Sequence, residues 1–220
     1  LLRWNSAELG SVAPVRFIPL AEETGIIVPL GEWILRSVCH QMVAWRNTGL
    51  AVPKVSVNLS VKQIERIDIV ALVRSVLAET GLEPAALELE ITESVIMNIE
   101  DSLTILDNLH RIGVHLAIDD FGTGYSSLSY LKKLPVNTLK IDRAFVIGIG
   151  SNTGDEAIIR TIVSLARSLQ LTTVAEGVDS LQQLEFLKTL GCDEIQGYYF
   201  STPLPADEFA NNWHRQIQSA

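Results

Sequence analysis

The sequence predicts an α/β protein built as a TIM-like (β/α) barrel. Short apolar segments alternate six times with longer segments of helical periodicity, and the connections between them are short. Such an alternation favours a parallel sheet covered by helices. Each short apolar segment also runs into a polar residue near its C-terminal end. This edge of the sheet is where barrels of this class carry their chemistry.

The helices are predicted from apolar spacing and from the glycines that follow several of them. In the first, apolar residues recur at helical spacing from Glu32 to Asn47, and Gly49 ends the segment. The other predicted helices cover residues 68–80, 101–111, 126–133, 155–169 and 180–190.

The strands are predicted where short apolar segments separate these helices. They lie around Val55, Leu87, Val114, Val136, Thr172 and Glu194. The polar residues that follow them are, in chain order, Asn58, Glu90, Asp119 with Asp120, Lys140, Glu176 and Gln196. Because the carboxyl ends of parallel strands meet at one edge, we expect these side chains to converge on one site. A closed barrel has eight strands, so six indicate that the chain begins late in the fold.

Composition narrows the function classes. The 220 residues are 47% hydrophobic, which is enough for one sizeable core, and 26 acids against 17 bases give a net charge of −9. This charge disfavours a nucleic acid polymer or an anionic membrane as partner. Cys39 and Cys192 lie far apart without a CxxC pattern, which predicts reduced thiols in a cytoplasmic protein.

Asp119 and Asp120 directly follow the apolar run at residues 114–118. Two adjacent carboxylates at the end of a buried strand are unfavourable unless a cation neutralises them, which indicates a metal site. The alternative is a helix cap and a loop acid. Glu90 follows Glu88 by two positions, so that strand face could simply be exposed. The histidines show no HxH or HExxH spacing, and an all-oxygen ligand set favours magnesium or manganese over zinc.

Other strand-end residues carry less weight singly. Asn58, Glu176 and Gln196 could each bond to loop backbone, but their common placement strengthens all three. Lys140 closes an apolar strand, where an ammonium group is costly without partners. A cluster of acids or a phosphate would supply those partners.

Eight ordered motifs extend this interpretation to a known family. They are LRW at 2–4, FIPLAE at 17–22, VNLS at 57–60, EITES at 90–94, DDFGTGYSS at 119–127, LKID at 139–142, VAEGV at 174–178 and QGY at 196–198. In this order they resemble the motif series of the EAL domain family of bacterial cyclic di-GMP phosphodiesterases. The resemblance runs from Leu1 to about Trp213.

The resemblance implies a two-metal site and a catalytic set. Two divalent cations, magnesium or manganese, would be bound by Asn58, Glu90, Asp119, Asp120 and Glu176. The family's catalytic residues correspond to Lys140, Glu176 and Gln196, with Lys140 near the attacking water or the scissile phosphate.

It also implies two supporting residues. Arg3 would bind a substrate phosphate. Glu93 would anchor the loop at residues 121–127, which supports the metal-bound acids and couples dimerisation to activity.

This sequence departs from the family's motif series at two places. The Glu-Ala pair that would complete the family's name motif is expected before Leu1. We therefore expect residues 1–220 to form one EAL domain that lacks its first strand, most of its second and one metal-binding glutamate, and that is at best weakly active alone. Asp179 stands where the family usually has glutamate, and we expect this change to have a modest effect.

The expected function is metal-dependent hydrolysis of cyclic di-GMP to linear pGpG in second-messenger signalling. The expected setting is a cytoplasmic homodimer without membrane contact, fused to sensory or GGDEF domains. One alternative is a degenerate EAL domain that binds cyclic di-GMP or docks a protein without hydrolysis. Another is a different metal-dependent phosphoryl-transfer barrel. Degenerate members typically lose the metal acids or the loop, and this chain keeps both.

Overall fold

The computed structural model describes residues 2–93, 102–124 and 128–217. Its strands are β1 (Trp4–Ser6), β2 (Gly10–Val12), β3 (Val55–Asn58), β4 (Leu87–Thr92), β5 (His115–Phe121), β6 (Thr138–Ile141), β7 (Thr172–Ala175) and β8 (Glu194–Ile195). Its helices are α1 (Pro14–Thr24), α2 (Ile27–Asn47), α3 (Val61–Arg66), α4 (Ile69–Thr80), α5 (Ser102–Ile112), α6 (Leu128–Leu131), α7 (Arg143–Ile147), α8 (Thr153–Ser168), α9 (Leu181–Leu190) and α10 (Ala206–Ile217).

Strands β3 to β8 form one parallel sheet in which spatial order equals chain order. The sheet is curled, and the contacts of Lys54 at the amino ends of the strands show this. Lys54 directly precedes β3, and its Nζ lies 3.1 Å from Glu88 Oε2 on the neighbouring strand β4 and 3.3 Å from Glu194 Oε1 on β8. The Lys54 side chain therefore links the β3 end of the sheet to β8, the strand at the other end. The fold is the predicted TIM-like architecture, and β1 and β2 form a separate antiparallel ribbon.

The apolar core lies between the helices and one face of the sheet. Along β4, β5 and β6 the large apolar side chains alternate with residues of the opposite face, which include Glu88, Glu90, Asp119, Thr138 and Lys140. The largest fully buried side chains of these strands are Leu87, Leu89, Ile91, Leu116, Ile118, Leu139 and Ile141. This packing holds the carboxyl ends of the strands in fixed register, with Asn58 opposite Glu90.

Local sequence explains where the flanking helices begin and end. The Asp68 carboxylate accepts from the Ala71 amide at 2.9 Å and caps α4, and Gly81 ends that helix with φ +70°. A capping box of Ser180 and Gln183 starts α9.

The six predicted strands are confirmed. The four predicted helices that the structure describes in full follow the predicted segments, and so does the described part of the helix predicted at 101–111. The first begins earlier, at Ile27. The short helix predicted at 126–133 is seen as Leu128–Leu131, and residues 126–127 lie outside the described part. Sequence reasoning missed the β1–β2 ribbon and α1, α3, α7 and α10, several of which are too short to show a period. In the described part of the chain, no helix has the length and hydropathy needed to cross a bilayer.

Candidate active site

Lys140 lies at the centre of a buried charge cluster at the carboxyl edge of the sheet. Its Nζ is 2.6 Å from Glu90 Oε1, 2.9 Å from Asp119 Oδ1 and 2.6 Å from Glu176 Oε1. These residues come from β6, the end of β4, the end of β5 and the residue after β7. Of the two kinds of partner expected for the Lys140 ammonium group, acids or a phosphate, the structure shows acids. Residues from four strands contribute to this one site.

Asn58 extends the cluster to β3. Its Nδ2 donates to Glu90 Oε2 at 2.9 Å, while the other oxygen of Glu90 contacts Lys140. The pairing follows from strand register, because Asn58 and Glu90 are direct neighbours across β3 and β4. The structure therefore brings together Asn58, Glu90, Asp119 and Glu176, as the sequence predicted for its strand-end residues.

A bulge in β5 allows the adjacent residues Asp119 and Asp120 to face the same site. Successive side chains of a regular strand point to opposite faces. Here the register between β5 and β6 shifts between Ile118 and Phe121, and Asp120 adopts a left-handed backbone with φ +54°. Bulges of this kind turn a side chain toward a new direction and are common beside active sites. Asp120 tolerates this conformation better than most residues, since aspartate is enriched there.

Three carboxylates at this edge form a candidate metal centre. Asp119, Asp120 and Glu176 each present an oxygen within 4.8 Å of the others. Hard oxygen donors in such a group are the ligands that magnesium and manganese prefer. The donor set therefore fits a divalent cation, and the cluster could bind one.

The electrostatics of the cluster favour added positive charge. Burial raises the pKa of Glu90 above its ordinary range; Lys140 opposes this shift, and the charges of Asp119 and Glu176 add to it. Burial likewise raises the pKa of Glu176, against the attraction of Lys140. Burial alone would lower the pKa of Lys140, but the three surrounding acids raise it. Lys140 is therefore a stable cation, and the acids around it are only partly neutralised.

Asp142 is a site residue that the sequence reasoning quoted within a motif but gave no role. The pKa of Asp120 is raised to about 7, chiefly by burial and in addition by a hydrogen bond to Asp142 and the charge of Asp119. Asp142 also caps α7, accepting from the Ala144 amide at 2.6 Å. Its spacing from Lys140 was the available signal, because residues two apart at a strand end share a face.

Glu93 lies beneath the loop that follows β5. It is buried, its Oε2 accepts from the Gly122 amide at 3.4 Å, and a Cβ at Gly124 would come within 2.9 Å of its carboxylate. Among the described residues, its Oε1 has no hydrogen-bond partner. The predicted proximity to residues 122–124 is thus observed, whereas residues 125–127 of the loop lie outside the described part.

Arg3 and Gln196 are both exposed. The Arg3 guanidinium donates to the Leu2 carbonyl at 2.9 Å. The Gln196 backbone continues the edge of the sheet, donating to the Ala175 carbonyl at 2.8 Å and accepting from the Val178 amide at 3.1 Å. Gln196 therefore directly adjoins the segment that carries Glu176.

Comparison with known proteins identifies the family. The family model described as "EAL domain" matches residues 1–203. The chain belongs to the EAL domain family. Two curated relatives of this EAL domain are the bifunctional diguanylate cyclase/cyclic di-GMP phosphodiesterase MucR of Pseudomonas aeruginosa, 48% identical over 94% of the chain, and the cyclic di-GMP phosphodiesterase PdeR of Escherichia coli, 38% identical over the whole chain. The chain spans 30% of MucR and 33% of PdeR.

Solved structures show the same fold. The MucR phosphodiesterase in complex with c-di-GMP is similar with a TM-score of 0.92 and 48% identity, covering 95% of this chain and 85% of that one. The EAL enzyme Bd1971, in its cAMP-bound form, gives a TM-score of 0.91 at 32% identity and covers 97% of this chain and 60% of that one.

Proposed function

We propose that this EAL domain hydrolyses cyclic di-GMP to linear pGpG with the help of divalent cations. The observation that carries the proposal is the group of Asp119, Asp120 and Glu176 beside Lys140 at the carboxyl edge of the sheet. Relatives at 38–48% identity are named as cyclic di-GMP phosphodiesterases, which supplies the substrate class.

Two magnesium or manganese ions are proposed as cofactors. Asp119, Asp120 and Glu176 would hold them, together with Glu90 and Asn58, which already lie in contact with each other. Divalent cations at such a site supply Lewis-acid activation of water and neutralise charge that develops on a phosphate. The raised pKa values of Glu90 and Glu176 support this assignment, because these acids are only partly neutralised by Lys140.

Lys140 is proposed to act as a cation and hydrogen-bond donor. Its raised pKa keeps the ammonium protonated near neutral pH, so it does not serve as a base. An ammonium has three donors, and here all of them face the carboxylates that surround the proposed reaction site. A scissile phosphate or the attacking water would be held by exchanging one of these contacts.

Three further residues complete the proposal. Arg3, which is exposed, would bind a substrate phosphate, and Gln196 would orient water or metal from the end of β8. Glu93 would hold the loop after β5 through the backbone at residues 122–124. A displacement of about 1 Å in that loop would move Asp119 and Asp120 enough to cost on the order of a hundredfold in rate.

The proposed setting is a cytoplasmic homodimer attached to sensory or GGDEF domains, in line with the multidomain relative MucR.

We also propose that the domain extends beyond residue 203 to the end of the chain. Phe209 on α10 packs on Trp45 with ring centroids 5.0 Å apart, and Trp213 packs on Phe209 at 5.4 Å.

The test is chromatography of cyclic di-GMP incubated with the protein and magnesium or manganese. We expect conversion to pGpG that stops when a chelator is added and that is lost in Asp119→Asn. The matched control is Asp107→Asn, which removes an exposed acid paired with Arg111 on α5 and should keep full activity. Tight binding of cyclic di-GMP without turnover under all of these conditions would instead indicate a receptor.

A further inference from the structure

Asp179 joins three loops at the carboxyl edge of the sheet. Its Oδ1 accepts from the Tyr198 amide at 3.3 Å, in the loop after β8. Its Oδ2 lies 3.2 Å from Arg143 Nη2, at the start of α7 after β6. Asp179 itself lies in the loop after β7, three residues beyond Glu176. Both carboxylate oxygens are thus used, each on a different neighbouring loop.

The residues held by Asp179 adjoin residues of the candidate site. Arg143 directly follows Asp142, the partner of Asp120. Tyr198 is two residues after Gln196. A shift of either contact would therefore be transmitted along one or two residues of backbone to a side chain at the reaction edge.

Close packing at two glycines holds these loops against each other. Gly177 has φ +70°, and a Cβ there would collide with the aliphatic stem of Arg143. A Cβ at Gly197 would likewise collide with the backbone of Val178. With both positions restricted to glycine, the loop after β7 is packed between the other two.

Gln183 supports Asp179 from the helix behind it. The Gln183 Oε1 accepts from the Asp179 amide at 2.7 Å, and its Nε2 donates to the Val146 carbonyl on α7 at 3.2 Å. The backbone of Asp179 is therefore anchored to α9 and α7 while its carboxylate reaches the adjacent loops.

We propose that Asp179 is a positioning residue that sets the relative placement of Glu176, Asp142 and Gln196. The proposal deepens the proposed phosphodiesterase function and rests on it for its kinetic test. The sequence alone predicted only a modest effect of having aspartate instead of glutamate at position 179. The contacts of Asp179 predict a larger effect on catalysis.

The test compares two variants at this position. Asp179→Ala removes both contacts, and we expect kcat for cyclic di-GMP to fall by about 10- to 100-fold with a smaller change in KM, because reacting groups are misplaced rather than lost. Asp179→Asn keeps an oxygen for the Tyr198 amide, so we expect it to recover most of that loss, to within about 5-fold of the parent chain.

The matched control is Asp193, which joins the same two strands at the opposite edge. Its Oδ2 accepts from the Thr173 amide at 2.8 Å and from the Thr173 hydroxyl at 2.7 Å, linking the segment before β8 to β7. Asp193→Ala should lower the melting temperature at least as much as Asp179→Ala and leave kcat nearly unchanged.

A second readout does not depend on activity. Amide hydrogen exchange of the peptide spanning residues 196–200, measured without added metal, should become faster in Asp179→Ala and stay slow in Asp193→Ala. If the parent chain shows no hydrolysis, the proposed function fails, and this exchange pattern alone decides whether Asp179 holds the loop. Equal kcat losses in the two alanine variants, or exchange at 196–200 that Asp179→Ala leaves unchanged, would overturn the proposal.

Discussion

Replacing Lys140 by methionine tests the electrostatic arrangement of the site most directly. The substitution keeps the length of the side chain and removes its charge from three acids at 2.6–2.9 Å. The Lys140 side chain is 5% exposed, and those of Glu90 and Asp119 are 8% and 12% exposed. Removing one partner of a buried ion pair costs about 3–5 kcal/mol, because the remaining charge stays buried without compensation.

The expected consequence is a large loss of stability in the metal-free protein. For a domain of this size, such a change lowers the melting temperature by roughly 10 °C. The loss should depend on pH. Without Lys140 the pKa values of Glu90 and Glu176 rise further above the unfolded value, so the folded variant binds protons that the unfolded chain releases. Its stability therefore falls as pH rises above the unfolded pKa, and the deficit is larger at pH 8 than at pH 5.

The assay is thermal denaturation at both pH values, first with a chelator and then with magnesium or manganese. A cation at about 100 times its dissociation constant stabilises the folded state by about 2.7 kcal/mol, and we expect the variant to gain at least as much as the parent chain. Lys62→Met is the matched control, since Lys62 forms an exposed pair with Glu65 and such pairs contribute about 0–1 kcal/mol. A Lys140→Met protein as stable as the parent at pH 8 with chelator would refute this reasoning.

Three further predictions concern the loop and the aspartates. Asp119→Asn should lower turnover of cyclic di-GMP by at least about a hundredfold and weaken manganese binding in calorimetry, because a ligand charge is lost at nearly constant volume; near-normal turnover would remove Asp119 from the metal site. Glu93→Ala should lower kcat by about a hundredfold although Glu93 is not a proposed ligand, and a loss of stability with unchanged kcat would make its role purely structural. Asp120→Asn should flatten the pH dependence of metal-free stability between about pH 4 and 7, because the raised pKa of Asp120 makes the folded parent lose stability as pH rises through that range; a parallel pair of pH profiles would contradict this.

Much of the fold and site was predictable because it depends on local periodicity. The alternation of apolar segments with helical segments predicted six parallel strands, and the structure confirms them. Parallel pairing then requires strand-end residues to meet at one edge, which is why the proximity of Asn58, Glu90, Asp119, Lys140 and Glu176 could be anticipated from spacing alone. The short elements could not be anticipated, because a three-residue strand such as Trp4–Ser6 carries no usable period.

By itself, the sequence determined which residue types stand at the ends of which strands, and therefore that acids, one amide and one lysine share the carboxyl edge. Only the tertiary structure decided how they are paired. The bulge at Asp119 and Asp120 depends on the register between β5 and β6. The contacts of Lys140 and the two bonds of Asp179 depend on strand curvature and loop packing. These features arise from contacts between residues distant in the chain, so no local pattern specifies them.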